Sequence, residues 1–291
     1  MPESFDKKIM LVTGATSGIG LVTARELARG GAHVVLLARD PAKAERTRQK
    51  LVAATGNPRI DTVLADLSSQ QQVRAVAAEL HALYPRLDVL VNNAGLMFGA
   101  QRQVSVDGDE LTLATNYLGP FLLTSLLLDL LRQSPAARVV NVSSTAAFLT
   151  AAPNLDDLQA ERSYNALLAY GTTKLWNIMF TQELARRLRA HGITNVTTNV
   201  LHPGLIASNF GAEAQGPFKW FLQLWRPFML STEKGARTSI FLATDPSVAT
   251  TSGGYFVKKR PEPVKSAFAT AANAERLWKL SEQLTGTTFL D

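Results

Sequence analysis

Short apolar runs alternate with longer segments of helical periodicity from Ile9 onward. Ile9 to Thr13 is an apolar run of strand length. Ile19, Val22 and Leu27 then recur at i, i+3 and i+8, one face of a helix, and Gly30-Gly31 closes it. Further runs predict strands over Val34 to Ala38, Thr62 to Ala65, Asp88 to Val91, Val139 to Val142 and Val196 to Leu201, with a last short one at Tyr255 to Val257. The segments between them predict helices over Ser69 to Leu83, Asp109 to Arg132, Leu168 to Arg189, Thr232 to Ala243 and Asn273 to Leu284. Gly119-Pro120 lies inside the second and predicts a kink, because proline cannot donate to the helical ladder.

Strand–helix alternation of this kind builds βαβ units. The expected fold is therefore α/β: a Rossmann-type doubly wound parallel sheet of about seven strands in a three-layer α/β/α arrangement. One domain is expected over 1–291. Only residues 204–230 break the alternation; rich in Gly, Phe and Trp, they predict a lid over a ligand site. Phe218, Phe221, Leu222 and Trp225 fall at helical spacing, so the same segment also reads as an amphipathic helix against core, a subunit contact or a membrane-surface contact.

Composition narrows the chemistry. The hydrophobic share of 46% supports a large core, and the net charge of +6 is spread over clusters such as Arg186-Arg187 and Lys258-Lys259-Arg260 without any nucleic-acid-binding motif. No nucleic-acid partner is expected. Cysteine is absent, which removes disulfides, thiolate metal sites and cysteine nucleophiles. His33, His81, His191 and His202 are scattered without metal-ligand spacing, so no metal is expected. The opening residues lack the apolar core of a signal peptide, and no run of about 18 apolar residues offers a transmembrane anchor. The expected location is the cytoplasm, with peripheral membrane contact left open.

Two constellations carry chemistry. Gly14-Ala15-Thr16-Ser17-Gly18-Ile19-Gly20 follows the first strand and opens the first helix. Glycines there permit a tight turn and close approach of a pyrophosphate, while the helix N-terminus offers unpaired N–H donors. Tyr170 and Lys174 stand four apart in a helical segment, one above the other. An ammonium beneath the phenol favours its anion and would move a pKa of about 10 toward neutrality, giving an acid/base for a carbonyl oxygen. Tyr255 and Lys259 repeat the spacing, but in a strand, where their side chains would stand about 13 Å apart.

The spacing TGxxxGxG followed by Tyr-x-x-x-Lys resembles the short-chain dehydrogenase/reductase family, and the likeness extends along nearly the whole chain. It implies an adenine contact at Asp66-Leu67. It further implies a sheet-steadying NNAG motif at Asn92-Asn93-Ala94-Gly95, and a turn at Pro203-Gly204 whose following residues Ile206 and Ser208 reach the nicotinamide carboxamide. By the same resemblance Ser144 orients the substrate oxygen and Asn116 anchors a water that relays protons from Lys174, completing a tetrad with Tyr170. NAD-specific relatives carry an acid where this chain has Ala38. Arg39 follows it, with Lys43 a turn further on, so NADP(H) is expected over NAD(H). Asn116 to Thr124, Ala169 to Leu188, His202-Pro203-Gly204 and Leu277-Trp278 resemble the retinol-dehydrogenase-like branch most.

The expected activity is interconversion of a carbonyl and an alcohol. A pocket walled by Met97, Phe98, Phe148, Tyr164 and the lid aromatics Phe210, Trp220 and Trp225 predicts a bulky apolar small-molecule substrate. The alternative is a catalytically silent NADP(H)-binding sensor. By resemblance a homodimer or homotetramer is expected, paired through the helices of Asn116 and Tyr170.

Overall fold

The computed structural model describes residues 5–150, 153–204 and 231–290. The strands are β1 (Ile9–Thr13), β2 (His33–Ala38), β3 (Ile60–Leu64), β4 (Val89–Asn92), β5 (Ala137–Val142), β6 (Val196–His202), β7 (Tyr255–Val257) and β8 (Arg260–Pro261). They form one sheet in the order β3-β2-β1-β4-β5-β6-β7-β8. Every pairing is parallel except that of β7 with β8. The seven expected strands are present; the eighth is a two-residue exposed edge turned back on β7, with no apolar pattern to reveal it.

The helices are α1 (Gly18–Arg29), α2 (Pro41–Thr55), α3 (Gln70–Leu83), α4 (Leu111–Leu113), α5 (Gly119–Leu126), α6 (Leu128–Arg132), α7 (Ala166–Ala190), α8 (Thr232–Thr244) and α9 (Ala271–Thr285). They cover the sheet on both faces, and the strands are apolar in both directions. Met10 and Val12 face one core with Leu27 of α1 and Leu242 of α8; Leu11 faces the other with Val76 of α3, Phe121 of α5 and Trp278 of α9. This alternation along a strand buried on both sides is what a parallel sheet between two helical layers requires.

The segment expected to be one kinked helix is instead four pieces. A π turn over Ala114–Leu118 separates α4 from α5, and a second break at Leu127 separates α5 from α6. Pro120 falls in the first turn of α5, where its missing N–H costs nothing. The π turn accordingly lies before the Gly-Pro pair and the break at Leu127 after it.

The sheet order reverses beside β1, which pairs with β2 on one side and β4 on the other. At such a switch point the loops leaving adjacent strands part in opposite directions and open a crevice at the C-terminal edge. The glycine-rich turn, the NNAG segment, Ser144 and Pro203-Gly204 all leave strands at that edge.

Candidate functional site

The glycine-rich turn after β1 closes against the end of β4. Gly14 and Gly18 take positive φ, at 63° and 57°. A Cβ on Gly14 would meet Ala94 Cα at 2.9 Å, and one on Gly20 would run into Asn93 Nδ2 and the Gly14 carbonyl. Thr13 ties the two loops: its Oγ1 accepts from the backbone N–H groups of Asn93 and Ala94 at 3.0 and 2.9 Å, while Asn93 Nδ2 donates to its carbonyl at 2.9 Å. Ser17 is the N-cap of α1 but makes no side-chain cap bond, and no acid stands in the first turn. By contrast, α2, α3, α7, α8 and α9 each have a capping side chain. The opening turn around Ile19 therefore keeps donors for an anion beside a glycine cradle that side chains would fill. A dinucleotide pyrophosphate fits these features.

Further along the crevice, Asp66 accepts from the Ser68 backbone N–H and hydroxyl at 2.9 and 2.8 Å, and Leu67 is buried. Arg39 and Lys43 are exposed at the end of β2 and the start of α2. Lys43 shares with Thr16, Arg25, Arg46 and Lys50 a cleft of about 450 Å³ between α1 and α2, whose lining contains no carboxylate.

The second constellation gathers around α7. Tyr170 and Lys174 are both buried, and Lys174 Nζ lies 5.6 Å from the Tyr170 ring centre. The proximity expected from the spacing is present, but the expected electrostatics are not. Burial pushes the Tyr170 phenol above its ordinary pKa, opposed by its hydrogen bond with Ser144. Burial also pushes the Lys174 ammonium down to about 8. Its Nζ donates to the Val142 carbonyl at 3.0 Å. Desolvation penalises both charged forms, and burial sets the direction of both shifts.

Ser144, two residues beyond β5, is in extended conformation and caps a short 3-10 turn, its Oγ accepting from Ala146 N at 3.2 Å. Ser143 before it donates through Oγ to the Lys174 carbonyl at 2.7 Å, pinning the strand end to α7. Asn116, on the π turn, uses its side chain within the protein: Oδ1 accepts from Leu96 N at 2.9 Å, and Nδ2 donates to Leu96 O at 2.8 Å and Thr173 Oγ1 at 3.2 Å. Its backbone carbonyl accepts from Asn177 Nδ2 at 3.1 Å. Gly95, held between them, leaves room for the lysine, since a Cβ there would lie 2.8 Å from Lys174 Nζ.

The expected pocket residues divide. Met97 is buried in a small cluster with Tyr170, flanked by Ala146, Ala166 and Leu167, and Phe98 is also buried. Phe148 instead packs edge-on against Tyr255 at 5.8 Å, on the main core, and Tyr164 has Thr112 and Glu110 as neighbours. Neither belongs to the Tyr170 cluster. Pro203 and Gly204 follow β6, Gly204 with φ of 98°. Ile206, Ser208, Phe210, Trp220, Trp225 and nearly all of the expected lid lie outside the described residues. The second Tyr-x-x-x-Lys copy separates: Tyr255 is buried, whereas Lys259 is exposed and reaches toward Phe241 at 5.7 Å. Thr13 and His202 fall within motifs read from the sequence, but the bonds they make do not show there, and Ser143, Thr173 and Asn177 carry no signal for the site at all. All five act through bonds between distant segments, which leave no local spacing to read.

A switch-point crevice, a glycine cradle on an uncapped helix and a half-buried Ser144 beside the buried Tyr170 and Lys174 define the dinucleotide-binding class of α/β protein. A family model for short chain dehydrogenases matches residues 8–216, and the chain belongs to the short-chain dehydrogenase/reductase family. Its relatives place it in the retinol-dehydrogenase-like branch. Retinol dehydrogenase 14 of Mus musculus is 42% identical over 98% of this chain and 88% of its own length. A Streptomyces sp. (strain C5) protein assigned as daunorubicin C-13 ketoreductase DnrU is 39% identical over 97% of this chain and 93% of its own. Among solved structures, an uncharacterized protein from Mycobacterium paratuberculosis superposes with a TM-score of 0.79 at 34% identity, over 99% of this chain and 97% of that one. Membership makes the chain an oxidoreductase of a family that binds nicotinamide nucleotides. No helix among the described residues is long and apolar enough to cross a membrane.

Proposed function

We propose that the protein is an NADP(H)-dependent oxidoreductase that interconverts a carbonyl and an alcohol on a bulky apolar substrate. The observation that carries this reading is the convergence of Ser144, Tyr170 and Lys174 at the mouth of the switch-point crevice, beside the glycine cradle. Gly14, Thr16, Ser17, Gly18, Ile19 and Gly20 would hold the pyrophosphate. Asp66 and Leu67 would hold the adenine, Asn93, Ala94 and Gly95 the middle of the cofactor, and Pro203 and Gly204 with Ile206 and Ser208 the nicotinamide end. Held there, a nicotinamide nucleotide would supply or accept the hydride of the reaction.

The chain's own groups handle the oxygen and the proton. Ser144 orients the substrate oxygen by hydrogen bond, and Tyr170 gives its phenolic proton to that oxygen in reduction and recovers it in oxidation. Lys174 keeps an ammonium near the phenol below about pH 8. Asn116, by holding Leu96, keeps Gly95 against that ammonium. Relatives named as a retinol dehydrogenase and a ketoreductase, together with the apolar Met97–Tyr170 cluster, support a hydrophobic aldehyde, ketone or alcohol as substrate.

NADP(H) is favoured by charge. Ala38 leaves no acid at the end of β2, while Arg39, Lys43 and the cationic cleft beyond them complement a 2′-phosphate. Steady-state oxidation of NADPH and NADH across a panel of medium-chain aldehydes and bulky ketones tests both parts. The wild-type protein is expected to turn over NADPH preferentially, and Arg39→Asp to move the kcat/KM ratio toward NADH by about tenfold or more. An unchanged ratio would remove Arg39 from the 2′-phosphate site, and cofactor binding without turnover on any substrate would favour a sensor.

A further inference from the structure

Ser144 sits between two residues that are both held by the end of β6. The backbone N–H of Ser143 donates to the Leu201 carbonyl at 2.7 Å. The backbone N–H of Thr145 donates to Nδ1 of the next residue on β6, His202, at 3.2 Å. Consecutive residues of one strand thus clamp the serine from either side, at the point where Pro203-Gly204 leaves the sheet. From the structure we infer that His202 is a positioning residue for Ser144. Its neutral imidazole fixes the turn that carries the serine and couples it to the loop leaving β6.

The chemistry of the contact restricts what can stand there. A backbone N–H only donates, so Nδ1 must accept and the ring proton must reside on Nε2. A protonated imidazole has no lone pair at Nδ1 and cannot make the bond. Burial supports the neutral form, holding the His202 pKa down to about 4, and His202 is only 8% exposed. Thr145 is the first residue of the 3-10 turn, whose opening N–H groups lack partners within the turn. The next donors are satisfied by Ser144 itself: Ala146 N by its Oγ and Ala147 N by its carbonyl. Without His202 the Thr145 N–H has no acceptor among these groups, and the turn loses its tie to β6 on that side of the serine. Small displacements of an orienting group carry large kinetic penalties, up to about a hundredfold for 1 Å.

This inference rests on the reading of Ser144 and Tyr170 as the groups that handle the substrate oxygen, so the test includes that reading as an arm. The wild-type protein and the variants His202→Asn, His202→Leu and Ser144→Ala would be compared in NADPH-dependent reduction of the aldehyde or ketone that the wild type turns over fastest. Thermal melts and NADPH titrations would be run on each. The amide oxygen introduced by His202→Asn can accept from the same N–H, although it lacks the ring; the side chain introduced by His202→Leu fills similar volume and accepts nothing. The expected result is a fall in kcat of about tenfold or more for His202→Leu at near-constant NADPH affinity, with His202→Asn recovering most of it. If His202→Leu and His202→Asn fall equally, or neither falls, His202 does not act through acceptance and the inference is overturned. If Ser144→Ala itself retains wild-type kcat, or the wild type turns over nothing, the proposed function fails and this inference with it. Should His202→Leu not fold, equal kcat for His202→Asn and the non-accepting His202→Ala would overturn the inference in the same way.

Discussion

Lys174 shows how burial rather than neighbourhood sets the charge state of a single residue. Its side chain is enclosed by α7, the end of β5 and the Gly95 loop, with the Val142 carbonyl as its hydrogen-bond partner. Desolvation alone lowers its pKa from 10.5 to about 8. An unfolded chain stays protonated up to the higher value, so between about pH 8 and 10.5 it binds more protons than the folded one. Folding stability therefore rises with pH across that window, by an amount of the order of 3 kcal/mol, as the cost of enclosing an ammonium is relieved. Urea melts of the wild type and Lys174→Met between about pH 7.5 and 10 check this. The wild type is expected to gain on the variant as pH increases, and a constant difference would show that the ammonium is not desolvated. The i, i+4 spacing made the Tyr170–Lys174 approach legible in the sequence. It held nothing about enclosure, and enclosure reverses the sign of the expected phenol shift.

At the level of elements, patterns that depend on burial of one face were readable and those without an apolar stripe were not. β1 and β7 match their expected bounds, and α3, α7, α8 and α9 fall within two residues of theirs. By contrast, α2 buries only Ala44, Thr47 and Leu51 over fifteen residues, too sparse a stripe to announce a helix; its signals are the Asp40 cap and Pro41. The π turn at Ala114–Leu118 was hidden because a single added residue per turn leaves the apolar count unchanged. Its consequence is local: it sets Asn116 against Leu96 and Thr173.

The helix that carries Tyr170 and Lys174 is in turn braced by α9. Trp278 stacks on Phe180 and Phe289 at 5.8 and 4.8 Å, under the Arg187 guanidinium at 4.6 Å. Trp278→Ala is expected to lower unfolding stability by about 3–5 kcal/mol, read by urea denaturation. A loss under about 1 kcal/mol would mean that the aromatic stack does not fasten α9 to α7.

Across the whole molecule, the sheet brings together residues far apart in the chain. The bond from Thr145 to His202 spans 57 positions, and that from Asn93 to Thr13 spans 80. The crevice, the glycine cradle and the Tyr-Lys helix were legible because each is a local motif placed on a predictable element. The clamps that hold them were not, because hydrogen bonds between separate strands leave no spacing in the sequence. Phe148 and Tyr164 illustrate the same limit: their apolar character was plain, but their direction depends on the packing of Tyr255, Thr112 and Glu110.

One phenol acting as the proton donor at the crevice underlies the whole proposed reaction. Single-turnover and steady-state reduction by Tyr170→Phe, with NADPH affinity measured in parallel, tests it most directly. Loss of turnover by a factor of about a hundred or more, with NADPH affinity within a few fold of wild type, is the predicted result. Near wild-type turnover by Tyr170→Phe would contradict it.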